Sequence, residues 1–218
     1  MIYNFFRIFC WIVNYPIALL FTRHKTYYED KASTNLKKGG KLLIQNHFGA
    51  WDFVLSSYLV FPRRLYVVTS EMPYKNKLLS IGMRFFNGIQ ANRNTMNMAF
   101  IDECAGYIKK GKLGLIYPEG RNTPDGKLQR FKHSYLVIAH RAKSPIVPIV
   151  SDGNYKAFRK VSVIVGREID VSSFFSDPER PIPEKAELER ANEYVHARVE
   201  ELREQLEALK KIKKRNIK

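Results

Sequence analysis

A chain of 218 residues with 45% hydrophobic and 13% aromatic side chains can bury a substantial core, which excludes whole-chain disorder and fits one α/β domain with an appended terminal segment. Its two cysteines, Cys10 and Cys104, lie far apart without ligand-like spacing, which excludes a disulfide framework and a zinc site and fits a reducing location facing the cytoplasm. The formal charge of +16 still leaves +10 when the six cations Lys210, Lys211, Lys213, Lys214, Arg215 and Lys218 are set aside, so the body of the chain favours an anionic partner: nucleic acid, a negatively charged bilayer, or a phosphorylated or acidic-carrier substrate.

In chain order, the first element is the apolar run from Ile8 to Phe21, bracketed by Arg7 and Arg23. The fifteen residues between the arginines fall short of the roughly 20 needed to cross a bilayer core, and Asn14 and Pro16 interrupt the run. Tyr3, Trp11 and Tyr15 suit the headgroup boundary, and the flanking cations suit anionic lipid. Residues 1–25 are therefore expected to form a membrane-interfacial helical segment, with a buried core helix as the alternative.

Beyond it, Lys41 to Gln45, Leu65 to Thr69, Gly88 to Ala91, Leu113 to Tyr117, Ile146 to Val150 and Val161 to Val165 read as strands, several apolar enough to be buried on both faces. Phe53 to Val60, Asn76 to Phe86, Met96 to Lys110 and Ser134 to Ala142 read as helices between them. The alternation predicts an α/β domain over residues 26–180, with a mostly parallel central sheet flanked by helices and its ligand at the carboxyl ends of the strands. Over 181–218, Pro181 and Pro183 punctuate the start, and Leu188, Ala191, Val195, Val199, Leu202, Leu206 and Leu209 recur at three- and four-residue spacing. That is an amphipathic helix with a lysine-rich tail.

Two strand ends carry chemistry. After Leu42-Leu43-Ile44 comes Gln45-Asn46-His47-Phe48-Gly49-Ala50-Trp51-Asp52, in which a histidine and an aspartate stand five positions apart. A neutral imidazole steered by a carboxylate is a general base that works near neutral pH. After Leu113-Gly114-Leu115-Ile116 comes Tyr117-Pro118-Glu119-Gly120-Arg121-Asn122-Thr123, where a glycine permits close approach of the backbone and a carboxylate beside an arginine offers an acceptor and an anion clamp. Read alone, the second stretch is also an ordinary turn. His133 and His140 have no carboxylate at a telling spacing and read as surface or helix-packing residues, and no set of residues has the spacing of a metal site.

With Gly88-Ile89-Gln90-Ala91-Asn92-Arg93 between these stretches and Ile146-Val147-Pro148-Ile149 after them, four blocks stand in order over roughly residues 35 to 170. In this the chain resembles the lysophosphatidate (1-acylglycerol-3-phosphate) acyltransferase family, the glycerolipid acyltransferases marked by a histidine-four-residues-aspartate motif. The resemblance implies that His47 is the catalytic base and Asp52 its orienting partner. It implies that Arg93 holds the phosphate of the acyl acceptor, that Glu119, Gly120 and Arg121 contact substrate, and that Pro148 gives structural or acyl-site support. The donor would be acyl-CoA or acyl carrier protein, with no cofactor and no metal, and the acceptor a lysophospholipid hydroxyl. The enzyme would work at an anionic bilayer surface on the cytoplasmic face of the membrane. One departure is visible: the family's third block has a small hydroxyl residue and then arginine after its glycine, whereas Arg121 and Asn122 stand here. Two other readings are a catalytically silent lipid-binding scaffold and a basic nucleic-acid-binding protein. The second lacks any recognised nucleic-acid motif.

Overall fold

The computed structural model describes residues 23–30, 36, 38–92, 98–123, 126–156 and 160–215. The apolar run Ile8 to Phe21, and with it the expected interfacial helix, lies outside the described residues, as does Arg93. In chain order the elements are β1 (His24–Tyr28), β2 (Lys41–Gln45), α1 (Trp51–Leu59), β3 (Leu65–Ser70), α2 (Lys77–Phe85), β4 (Gly88–Ala91), α3 (Ala99–Lys109), β5 (Leu113–Ile116), α4 (Ser134–Ala142), β6 (Ile146–Ser151), β7 (Val161–Val165) and α5 (Lys185–Arg215). Short 3₁₀ turns occupy Met72–Lys75 and Ser172–Phe174.

The strands form one seven-stranded sheet in the order β1-β7-β6-β2-β5-β3-β4. All neighbours run parallel except β6 and β7, so the sheet is mostly parallel as expected. Every residue of β2 is buried, because it lies between β5 and β6 with helices on both faces. Side-chain alternation sorts its residues: Leu42 and Ile44 join a core with Ile101, Cys104, Leu136 and Val195 of the α3, α4 and α5 layer, and Leu43 joins Leu55, Val67, Leu115 and Val163 on the other face. Pro148 sits inside β6 where pairing with β7 gives out at Ile149↔Val165, and its carbonyl accepts from Gly166 N at 2.9 Å. A proline is tolerated there because no further bond to β7 is asked of its nitrogen.

Close helix packing needs glycine at Gly114, where an added Cβ would fall 2.9 Å from Cys104 Sγ. Leu188, Ala191, Val195, Val199, Leu202 and Leu206 of α5 are all buried, so the spaced apolar stripe of the sequence is the face that docks on the sheet. Each large side chain of it contributes about 1.5–3 kcal/mol on burial. Glu187 starts that helix by accepting from Ser176 N at 2.8 Å and Glu184 N at 2.9 Å.

Most strand and helix ends fall within a residue or so of the sequence reading, and three departures have a visible cause. The edge strand β1 was not anticipated, since HKTYY is only half-buried and its partner β7 lies far along the chain. Helix α1 starts at Trp51, two residues before the expected Phe53, because Asp52 turns back to accept main-chain N–H groups ahead of the helix. In α2, Asn76 is the N-cap rather than the first helical residue, its side chain accepting from Leu78 N at 2.9 Å and Leu79 N at 3.2 Å.

Candidate active site

Strands β6, β2, β5, β3 and β4 are successive neighbours that run parallel, so their carboxyl ends collect on one side of the sheet. His47 leaves that side just after β2, and two buried amides fix its position. Asn46 exchanges hydrogen bonds with Ser151 of β6 at 3.0 and 2.9 Å, and Gln45 accepts from Ser56 of α1.

Asp52 lies in the first turn of α1 and is fully buried. Its Oδ2 accepts from Phe48 N at 2.6 Å and Gly49 N at 2.8 Å and faces His47 Nδ1 at 2.9 Å. Its Oδ1 accepts from the Tyr155 hydroxyl at 2.5 Å. A carboxylate only accepts, so Nδ1 is the donor, and the neutral tautomer this contact selects has its lone pair on Nε2. The histidine is 21% exposed, which opens it to substrate while Asp52 stays dry. The five-residue spacing thus produces the pairing it suggested: a loop histidine and a first-turn aspartate closed into one small ring.

The Tyr117 ring stacks on His47 with centroids 4.0 Å apart and planes 15° from parallel. Burial, reinforced by the Asp52 charge, pushes its phenol well above the ordinary tyrosine range. The hydroxyl is buried with no partner among the described residues, so the ring face is the part that meets the imidazole.

Glu119, from the strand-end turn after β5, is 4% exposed and has both oxygens engaged. Oε1 accepts from His47 N at 3.0 Å, and Oε2 accepts from Gln129 N and Thr123 Oγ1, each at 3.0 Å. Thr123 N adds a 2.7 Å bond to the His47 carbonyl. The second motif is therefore tied to the first through the main chain of His47. Gly120 adopts φ +68°, and a Cβ there would fall 3.0 Å from Lys132 Nζ.

A cavity of about 540 Å³ opens beneath His47, with Phe53, Val67, Met83, Phe100 and Ile116 as apolar walls and His47, Asn92, Asn122 and Lys132 among its polar groups. Gly120 lines it, but Arg121 does not: it is exposed, and its guanidinium donates to Gln129 Oε1 at 2.5 Å. The swapped third block thus leaves the guanidinium on Gln129 and puts the shorter Asn122, itself exposed, in the cavity lining. Of the residues expected at the site, His47, Asp52, Glu119 and Gly120 come together, and Arg121 lies at the rim. His133 is 3.4 Å from Glu189, and His140, buried in α4, bonds the Arg180 carbonyl at 2.8 Å. No group of three metal-ligating side chains stands together among the described residues.

Sequence reasoning missed Tyr155, Gln129, the bonding role of Thr123 and the reach of Lys132 into the cavity. Tyr155 lies 103 residues from Asp52 and Gln129 lies 10 from Glu119, both on loops that carry no local pattern. Thr123 stands in a stretch that was read only for its carboxylate, glycine and arginine.

A protein-family model described as Acyltransferase matches residues 27–152. A 1-acyl-sn-glycerol-3-phosphate acyltransferase of Cocos nucifera is 27% identical over 197 residues, covering 88% of this chain and 59% of its own length. One from Pseudomonas aeruginosa is 26% identical over 136 residues, covering 59% of this chain and 51% of its own. The chain spans about half the length of the curated relatives it matches. The crystal structure of the 1-acyl-sn-glycerophosphate (LPA) acyltransferase PlsC from Thermotoga maritima shares the fold, with TM-score 0.58 and 24% identity over 88% of this chain and 73% of that one.

Proposed function

This chain belongs to the acyltransferase family, and from that premise we propose that it moves a fatty acyl group from acyl-CoA or acyl carrier protein to the hydroxyl of a lysophosphatidate-like lysophospholipid. The observation that carries this reading is a histidine locked by a buried aspartate at the head of a mostly apolar cavity of about 540 Å³. The relatives named for this reaction, in the coconut palm and in Pseudomonas, support the choice of acceptor class.

In the proposed reaction, His47 Nε2 takes the proton of the acceptor hydroxyl as its oxygen attacks the thioester carbonyl. The carbon–sulfur bond then breaks, and the imidazolium returns the proton to the leaving thiolate. The new ester and the free thiol balance the step, and no acyl-enzyme is formed. Asp52 keeps Nδ1 protonated and stabilises the transient imidazolium with its negative charge, and the Tyr117 ring face does the same. Arg93 is assigned the acceptor phosphate, with Lys132 as a second cation on the cavity wall. Glu119 acts on the main chain of His47, and Gly120 makes room for Lys132. Arg121 at the rim is assigned an outer contact to the anionic head of donor or acceptor.

An anionic bilayer on the cytoplasmic side is the proposed place of work. Among the described residues no helix is long and apolar enough to cross a membrane. The surface of α2 and of the 3₁₀ turn before it supports contact from one side: Met72, Leu78, Leu79 and Ile81 are exposed, Leu78 to 78%, beside the exposed cations Lys75, Lys77 and Arg84. No acidic residue interrupts positions 72–86, and Pro73 and Met83 of the same stretch line the cavity. Apolar side chains ringed by cations suit an anionic lipid surface.

The test is an acceptor screen in vesicles with labelled acyl-CoA and acyl carrier protein, read by mass spectrometry. The expected product is a phosphatidate-like diacyl lipid. Vesicle binding without transfer to any acceptor would instead establish the silent lipid-binding scaffold.

A further inference from the structure

We propose that Tyr155 is a positioning residue for acyl transfer: by donating its hydroxyl to Asp52 Oδ1 it holds the carboxylate in place and tempers its charge, so that His47 remains a neutral base at the working pH. This rests on the reading of His47 as the general base. Among the described residues three donors converge on Oδ2 of Asp52, namely Phe48 N, Gly49 N and His47 Nδ1, whereas Tyr155 is the donor to Oδ1. Without that hydroxyl a buried anionic oxygen loses its partner, and the carboxylate presents more charge to the imidazole. Burial, reinforced by Asp52, pushes the Tyr155 phenol far above the ordinary tyrosine range, so it stays protonated and can only be the donor to the carboxylate.

The loop between β6 and β7 is built to deliver this side chain. Asp152 Oδ1 accepts from Asn154 N at 3.2 Å and from Ser162 N at 3.1 Å, and its Oδ2 lies 3.1 Å from Lys210 Nζ of α5. Gly153 takes φ +62°, and a Cβ there would fall 2.4 Å from the Phe48 ring, so the loop folds tightly over the residue that follows His47. Tyr155 N then bonds the Gly153 carbonyl at 2.8 Å. The family-model match ends at residue 152, short of Tyr155.

Among the described residues the other titratable or charged groups around the pair are Tyr117 stacked on His47, Glu119 on its main-chain N–H, Lys132 on the cavity wall, and Asp152 of the loop with Lys210 of α5. A change confined to the Tyr155 hydroxyl leaves all of them in place, so a change in His47 titration reports the Asp52 bond.

The experiment follows the His47 imidazole by NMR in the full chain with ¹⁵N-labelled histidine, its signal assigned by its loss in His47→Ala. In Tyr155→Phe the imidazole is expected to bind its proton about threefold to tenfold more tightly. The acid limb of the rate profile should move to higher pH, and kcat at pH 7 should fall about tenfold with KM little changed. An unchanged or weakened proton affinity overturns the proposal. Should Tyr155→Phe fail to fold, 3,5-difluorotyrosine at position 155 keeps the ring and donates more strongly, so His47 should titrate at lower pH; no movement, or movement upward, overturns it equally. The titration needs no substrate, so failure of transfer on every acceptor would count against the acyltransferase reading and leave this test standing.

Discussion

Asp52 and Glu119 are both buried carboxylates bonded to His47, yet one meets its imidazole and the other its main chain. Asp52 keeps one oxygen on the ring nitrogen and two amide N–H groups and the other on a tyrosine, so its charge is felt where a proton moves. Glu119 spends both oxygens on Gln129, Thr123 and the His47 amide, so its charge decides where a loop lies. The same chemical group therefore serves reactivity in one place and register in the other, and the two can be separated by what their amides would keep.

Asp52→Asn should show the largest effect on rate. Two main-chain donors force the amide oxygen into the place of Oδ2, so the geometry survives while the charge is lost. Transfer is expected to fall about 10²- to 10⁴-fold in kcat with little change in the urea midpoint. Comparable losses in midpoint and rate would erase the distinction between the carboxylates. Glu119→Gln should do the reverse: whichever way the amide sits, its NH₂ confronts a main-chain N–H, of His47 or of Gln129. A stability loss of about 1–3 kcal/mol in chemical denaturation is expected, with a smaller fall in rate than Asp52→Asn. Thr123→Val removes a hydroxyl placed 3.0 Å from Glu119 Oε2 and 3.2 Å from the His47 carbonyl, while the 2.7 Å bond from Thr123 N remains. A loss of about 0.5–1.5 kcal/mol is expected by the same measurement.

A third carboxylate, Glu187, is the control far from the cavity. Hydrogen bonds from Ser176, and then the Glu184 N–H, hold its carboxyl down to about 2 against an ordinary value of 4.5. Because the folded value is depressed, its stabilising effect is present above pH 4.5 and is lost as pH falls towards 2. Urea midpoints of wild type and Glu187→Gln should differ at pH 6 and converge near pH 2, with transfer at neutral pH unchanged. An equal difference at both pH values would contradict this.

What could be read from the sequence was local. His47 and Asp52 lie within one loop and one helical turn, and the α5 stripe repeats within each turn, so spacing alone exposed both. The strand cores were legible because buried parallel strands are continuously apolar. Tyr155 was not, since it reaches Asp52 across 103 residues from a loop whose only local mark is Gly153. Arg121 was read by charge and position on the turn, yet the turn aims it at Gln129 and leaves Asn122 on the cavity. Strand β1 is half-buried and, among the described residues, pairs with a strand from the far end of the domain, so neither pattern nor neighbour announced it.

The most direct measurement is single-turnover acyl transfer by His47→Ala and wild type under matched conditions, with labelled acyl donor and a lysophosphatidate acceptor in anionic vesicles. The imidazole as general base predicts loss of transfer by about 10²-fold or more in a variant whose urea midpoint and vesicle binding match wild type. Transfer by His47→Ala at the wild-type rate would contradict it.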